Sequence, residues 1–151
     1  MEYKFFYGSI IAVWIILFVA LAFRPLRLRN ALVAVAGVGY SLLFDATLGE
    51  YLGLYYYIKP SASILYIILS AVALYPVIEV IFTLFLPEKT MPILIYTTVW
   101  LLLMLAHEIA SLMTKTIVFT GWKVFPWSIL AYITTFTWIN VFYGYLKKRG
   151  L

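Results

Sequence analysis

The sequence predicts an all-α, polytopic membrane protein in which five transmembrane helices form one bundle. Three observations predict this fold: 66% of the residues are hydrophobic, only 11% are charged, and the mean hydropathy is +1.03. A soluble domain of this size has too small an interior to bury so much apolar surface. Because lipid offers the backbone no hydrogen-bond partners, apolar runs of roughly 20 residues must be helical.

Short polar segments separate the five apolar runs, so we expect a single integral membrane domain over residues 1–151. The first run is free of charge and stops at a cluster of three arginines, whereas the second contains two acids and is the least regular. The predicted spans lie at about 5–23, 31–58, 61–86, 91–113 and 124–146.

The first span has one feature of a signal peptide, because Ala20, Leu21 and Ala22 follow an apolar run as a cleavage site would. The run is longer than the apolar region of a typical signal peptide, and the arginines after it would resist export. We therefore expect the first span to be retained.

Basic residues are distributed unevenly between the two ends of the predicted bundle. One end carries Arg24, Arg27, Arg29, Lys89, Lys147, Lys148 and Arg149, and the other carries Lys4, Lys59, Lys115 and Lys123. This asymmetry predicts a multi-pass protein of the cell membrane with its N-terminus outside and its C-terminus in the cytoplasm. The same residues account for the net charge of +5 as flanks of the spans, so the expected partner is the lipid bilayer and not nucleic acid.

Four ionisable residues fall inside the predicted spans: Asp45, Glu79, His107 and Glu108. A charge at that depth is costly, and such residues usually face a bundle interior or a cavity. They are the candidate intramembrane polar site. At about 1.5 Å of rise per residue, Asp45 and His107 reach comparable depth, which predicts that they pair across the bundle. A buried histidine with an ordinary hydrogen-bond partner is the alternative.

The third span adds Tyr75 to this candidate site, because Tyr75 and Glu79 share one helix face. Pro76 lies beside them, lacks a backbone donor and predicts a kink. A kink next to an acid often serves a cavity. A kink used only for packing, with Glu79 bonded to a tyrosine of another helix, is an equal alternative.

Small residues recur at every fourth position of the second span: Gly37, Ser41, Asp45, Gly49 and Gly53. Such a stripe allows two helices to approach closely, so it predicts helix packing and an Asp45 side chain that points into the bundle. The alternative is ordinary packing, with the glycines ending the helix before an interfacial loop.

No catalytic residue, metal site or cofactor is predicted. The run from His107 to Ser111 begins like a zinc-protease helix but lacks the second histidine, and the chain contains no other histidine and no cysteine. Its scattered glycines form no phosphate-binding loop.

Several short segments carry a resemblance to a known family. They are Asp45, Gly53–Tyr57, Leu74–Pro76, Phe85–Pro87, Trp100, Glu108, Gly121–Lys123, Ser128 and Tyr132. With them the chain after Arg24 resembles a family of small multi-spanning membrane proteins of unknown function found in spore-forming Gram-positive bacteria. The resemblance implies a bacterial cell membrane and no activity. The chain departs from the family at Glu79, where an amide is commoner, and at Ile133, where a proline follows the last tyrosine.

The functional expectation is a non-enzymatic protein with a polar intramembrane interior. It would act as an accessory or scaffold subunit, or bind a small lipophilic or cationic ligand, alone, as a homo-oligomer or with another membrane protein. Proton-coupled transport is the first alternative. The second is a lipid-modifying enzyme that uses Asp45, His107 and Glu108 as acid and base groups.

Overall fold

Five helical segments, each long and apolar enough to cross a membrane, make up most of the computed structural model, which describes all 151 residues. The α-helices are α1 (Glu2–Phe23), α2 (Leu28–Asp45), α3 (Ser63–Ala73), α4 (Tyr75–Leu84), α5 (Thr90–Met113) and α6 (Ile129–Lys148). Because α3 and α4 together form one span, six helices give five spans. The predicted all-α, five-span fold is confirmed.

Two spans contain an irregular segment at the same end of the bundle. Ala46–Tyr51 is π-helical and continues α2 beyond Asp45, whereas Val124–Ser128 leads into α6 with a kink at Phe125, whose backbone is extended. π-Helical turns are rare and often occur at functional sites. Here each segment lies next to a residue of the polar site described below.

The second span ends at Tyr51 and not near residue 58 as predicted. The chain turns at Gly53, whose φ of 63° belongs to the left-handed region that glycine adopts readily. After this turn the tyrosine-rich segment Tyr55–Tyr57 is a β-strand, β1. The prediction was wrong because a run of tyrosines at a helix end looks the same in sequence whether it continues the helix or leaves it.

Strand β1 pairs with β2 (Ile117–Phe119) in a two-stranded antiparallel sheet. Tyr55 lies opposite Phe119, and Tyr57 lies opposite Ile117. The sheet joins the connection between the second and third spans to the one between the fourth and fifth. It therefore closes one end of the bundle over the polar interior.

The third span is the centre of the bundle. In its most apolar window 61% of the residues are buried, against 11–17% in the other four spans. The span breaks at Leu74, two residues before Pro76, as the missing proline N–H predicts. At the break the Trp14 indole of α1 donates a hydrogen bond to the Ala73 carbonyl, with an N–O distance of 3.0 Å.

Candidate functional site

A cavity of about 120 Å³ lies inside the bundle, between α2, α4, α5, α6 and the sheet. The cavity is large enough for several waters or a small ligand, since a single water needs roughly 10–15 Å³ of cavity volume. Three carboxyl side chains line it, those of Asp45, Glu79 and Glu108. The lining contains no lysine, arginine or histidine.

The carboxyl group of Asp45 accepts hydrogen bonds from two tyrosines of the sheet. Tyr55 Oη lies 2.6 Å from Oδ1, and Tyr57 Oη lies 3.3 Å from Oδ2. Tyr57 Oη is also 2.9 Å from Tyr75 Oη. Because a phenol has a single proton to donate, Tyr57 bonded to Asp45 must accept from Tyr75. Tyr75 and Tyr57 thus form a chain of donors that ends at Oδ2 of Asp45, and Tyr55 donates separately to Oδ1.

The geometry of β1 explains why two of its three tyrosines reach the cavity. Successive side chains of a strand point to opposite faces, so Tyr55 and Tyr57 share the face turned inward. Both are buried, whereas Tyr56 is half-buried. Burial, and next the negative charge of Asp45, raise the pKa of Tyr55 and of Tyr57 well above the usual value. Both phenols therefore keep their protons and remain donors at physiological pH.

The carboxyl group of Glu108 also has a donor for each oxygen. Ser128 Oγ lies 2.5 Å from Oε1, and Tyr132 Oη lies 2.6 Å from Oε2. Ser128 and Tyr132 are four residues apart at the start of α6, so they project from one face toward α5. The Trp122 indole donates to Ser128 Oγ over 2.9 Å, which leaves the serine proton for Glu108.

Glu79 has a different environment, because its Oε2 atom is buried and has no hydrogen-bond partner. The carboxyl group lies against the backbone of α2 at Gly37, where a Cβ atom would overlap it. A buried carboxyl oxygen without a partner is costly unless the group is protonated or meets a cation. Glu79 is therefore the one acid of the cavity that is not already held by donors from the protein.

His107 lies outside this cavity, and the predicted pair with Asp45 does not form. Its Nε2 atom is 3.0 Å from Ser9 Oγ of α1, and its ring packs beside Phe5 with centroids 5.4 Å apart. Consecutive helical residues point about 100° apart, so when Glu108 faces the interior His107 must face a different neighbour. Matching depth alone did not specify which of the two turned inward.

The predicted small-residue stripe divides into three environments. Gly37 contacts Glu79, and Ser41 is buried in the cavity wall. Gly49 lies in the π-helical segment, where an added Cβ would come within 2.9 Å of the Tyr55 ring. Gly53 lies beyond the helix in the turn, with open space around it, so its assignment to helix packing was wrong.

Sequence reasoning missed most of the donors that hold the two acids. The segments that carry the family resemblance include all of them, but the sequence assigns none a role in the site: Tyr55, Tyr57, Trp122, Ser128 and Tyr132. Two periodic signals were present: the alternation of Tyr55 and Tyr57, and the four-residue spacing from Ser128 to Tyr132. Each becomes informative once the local structure of its segment is known.

Nowhere do three histidine, cysteine, aspartate or glutamate side chains approach closely enough to hold one metal ion. In comparisons with known proteins, no family model, no curated protein and no solved structure matches the chain.

Proposed function

We propose that this protein binds a small organic cation, a protonated amine or a quaternary ammonium group, within the membrane. The observation that carries the proposal is the lining of the central cavity: three carboxyl groups, many aromatic rings and no basic side chain. This is the ligand-binding form of the function expected from the sequence.

Electrostatics favours a cation over a neutral or anionic ligand. A carboxylate inside a bundle is expensive unless an opposite charge or several donors compensate it. Asp45 and Glu108 have donors but no counter-charge, and Glu79 has neither. An ionised carboxylate has about four acceptor positions, so both held acids retain room for an ammonium N–H.

Aromatic rings supply a second reason. Tyr55, Tyr57, Phe119 and Trp122 stand around the Asp45 end of the cavity, and Tyr55 packs edge-on against Trp122 with centroids 5.9 Å apart. The faces of such rings attract cations, most strongly where water is excluded. All of these side chains come from one chain, so the proposed site needs no second copy and no partner.

Proton-coupled transport is the second candidate, and Glu79 favours it. Its unpartnered carboxyl group is where a proton and a cation would compete. One turn further along α4, Thr83 Oγ1 bonds to the Glu79 carbonyl and accepts a hydrogen bond from buried Asn30. These polar groups continue from Glu79 toward the end of the bundle that is rich in arginine. A proton-driven uptake of the bound cation into vesicles would distinguish transport from binding.

The proposed location is a bacterial cell membrane, with the sheet outside and the C-terminus in the cytoplasm. The order of the spans supports this orientation, because it groups seven basic residues at the end opposite the sheet and four at the sheet end. In this orientation the cavity is nearer the outer surface.

The test is binding of phenethylammonium to the protein in lipid nanodiscs, measured by calorimetry, with uncharged 2-phenylethanol as its near-isostere. We expect the ammonium to bind and the alcohol to bind about tenfold more weakly or worse, since loss of one ion pair of about 1.4 kcal/mol is a tenfold loss. Asp45→Asn, Glu79→Gln and Glu108→Gln should each weaken binding of the ammonium.

Glu50→Gln and Glu88→Gln are the matched controls, because both acids are exposed and lie outside the cavity. Equal affinity for the ammonium and the alcohol would contradict the proposal. So would equal losses in the control variants and the cavity variants.

A further inference from the structure

An open groove on the outside of the bundle adjoins the central cavity. The groove has a volume of about 560 Å³ and runs between the second and fifth spans. Four residues belong to the walls of both spaces: Tyr40, Phe44, Trp122 and Ala131. The groove and the cavity are therefore neighbours across one layer of side chains.

Helical periodicity builds both walls of the groove. On the second span Tyr40, Phe44 and Leu48 recur at every fourth position. The facing wall comes from the fifth span and is formed by Trp127, Leu130, Ala131 and Thr134. At about 1.5 Å per residue the wall from Tyr40 to Leu48 runs for roughly 12 Å, which is the extent of a medium-length alkyl chain.

The layer of side chains between the groove and the cavity contains one small residue, Ala131. The other three shared residues are aromatic, with Phe44 edge-on to Trp122 at a centroid distance of 6.2 Å. Ala131 has the smallest side chain of the four, so an opening beside it needs the least displacement. A polar group that reaches this point from the bilayer meets the carboxyl-lined cavity directly.

We infer that the groove is the seat of an alkyl chain, and that the ligand is a single-chain amphiphilic amine or quaternary ammonium compound which enters sideways from the bilayer. The head group lies in the cavity with Asp45, Glu79 and Glu108, and the chain lies in the groove. This inference rests on the proposed function, since the cation in the cavity orients the molecule. Charge complementarity distinguishes this occupant from a bulk lipid, because phosphate-bearing head groups would be repelled by the three acids.

The chemistry of the groove fits this division of the ligand. Thr134 is the one hydroxyl-bearing residue on the fifth-span wall, and the rest of that wall is apolar or aromatic. An alkyl chain gains little by leaving lipid for such a surface, because lipid tails are equally apolar. The groove therefore selects the ligand by the shape and position of its alkyl chain, while contacts of the head group in the cavity supply the binding free energy.

The probe for the test is a dodecylammonium that carries a diazirine at the end of its chain, added to the protein in nanodiscs. After illumination, mass spectrometry should locate the label on Leu48, Leu130 or Thr134. Unlabelled dodecylammonium should compete with the label, and dodecanol should not. Phenethylammonium should also compete, because it occupies the cavity end of the same site.

Leu130→Trp and Ile133→Trp form a matched pair of variants. Leu130 and Ile133 are both large aliphatic residues of α6, and their exposed fractions are similar, 51% and 47%. Only Leu130 lines the groove. Leu130→Trp should reduce groove labelling about tenfold, the loss that corresponds to a misfit of about 1.4 kcal/mol. Ile133→Trp should leave the labelling unchanged, and both variants should bind phenethylammonium normally.

The outcomes separate the two proposals. If phenethylammonium binds but the label spreads over the exposed apolar surface, or dodecanol competes equally, the groove holds ordinary lipid and the further inference is overturned. If phenethylammonium fails to bind and does not compete, the proposed function itself fails. Groove labelling that resists competition by every cation would also overturn the inference.

Discussion

The carboxyl group of Glu79 occupies the space that a side chain at position 37 would fill. One missing methyl group thus allows an acid of α4 to lie against the backbone of α2. The other two acids of the cavity show the opposite solution, since each has a hydroxyl donor on both oxygens. At the scale of single residues, the site contains two acids fixed by the protein and one that is left free for a ligand or a proton.

The contact between Gly37 and Glu79 gives a prediction at this scale. Gly37→Ala should lower the free energy of unfolding by about 1 kcal/mol, the low end of the range for overpacking, because the added methyl group displaces only the flexible end of the Glu79 side chain, beside a cavity. Thermal unfolding in detergent measures the change.

Gly39→Ala is the control for this prediction. It lies two residues further along the same helix, and an added Cβ there meets nothing within 4 Å. We expect it to be neutral or to stabilise slightly, since alanine is the better helix former by about 0.5–1 kcal/mol. Equal destabilisation by the two substitutions would show that the close contact of Gly37 has no special cost.

At the scale of elements, irregular segments place the donors of the site. The β1 strand turns two tyrosines toward Asp45, and the kinked segment before α6 ends at Ser128, which bonds to Glu108. If this segment were a regular helix, the side chains of Tyr55 and Tyr57 would point in directions about 200° apart around its axis. The departure from helix at the end of the second span is therefore what brings both phenols to one carboxyl group.

The sheet itself can be tested, and the absence of cysteine from the chain makes the experiment clean. Tyr56 and Val118 lie directly opposite each other in the sheet, and such partners have Cβ atoms about 4.5–5.5 Å apart. In the double variant Tyr56→Cys/Val118→Cys, a short bis-maleimide should join both thiols. Intact mass spectrometry would then show one linker and no free thiol.

The control pair is Tyr56→Cys/Lys89→Cys, whose positions lie at opposite ends of the bundle. It should take up two separate linkers. Two linkers on the Tyr56→Cys/Val118→Cys protein as well would mean that the two connections are not paired in the membrane.

At the scale of the whole molecule, the third span is the most buried of the five, although one face of α3 remains exposed at Ile64, Leu65, Ile68 and Val72. The other exposed apolar side chains are concentrated on α1 and α5. The same arrangement places the three acids on three different spans that meet at one cavity. The cavity therefore does not exist within any single pair of adjacent helices.

The proposed orientation of the whole molecule gives the last prediction. Single cysteines introduced at Arg27 and Lys148 should be shielded from an impermeant thiol reagent in intact cells, and those at Lys59 and Lys123 should be labelled. The reason is the excess of basic residues at the end that carries Arg27 and Lys148. Labelling that is strong at Arg27 and absent at Lys59 would reverse the orientation, and labelling of both pairs alike would contradict five spans.

Composition and periodicity by themselves determined the number of spans, their approximate limits and the kink beside Pro76. These features depend on local physics: apolar length against bilayer thickness, and the missing N–H of proline. The sequence also identified Asp45, Glu79 and Glu108 as buried acids, because the cost of a charge in lipid is independent of the details of the fold.

Only the tertiary structure decided which groups meet those acids. Asp45 binds two tyrosines more than nine residues away in a strand that no local pattern predicted, and Glu108 binds Ser128 and Tyr132 on another span. His107 turned to Ser9 instead of Asp45 because the rotation of α5 about its axis depends on packing against its neighbours. Depth is encoded along one helix, whereas facing direction is a property of the whole bundle.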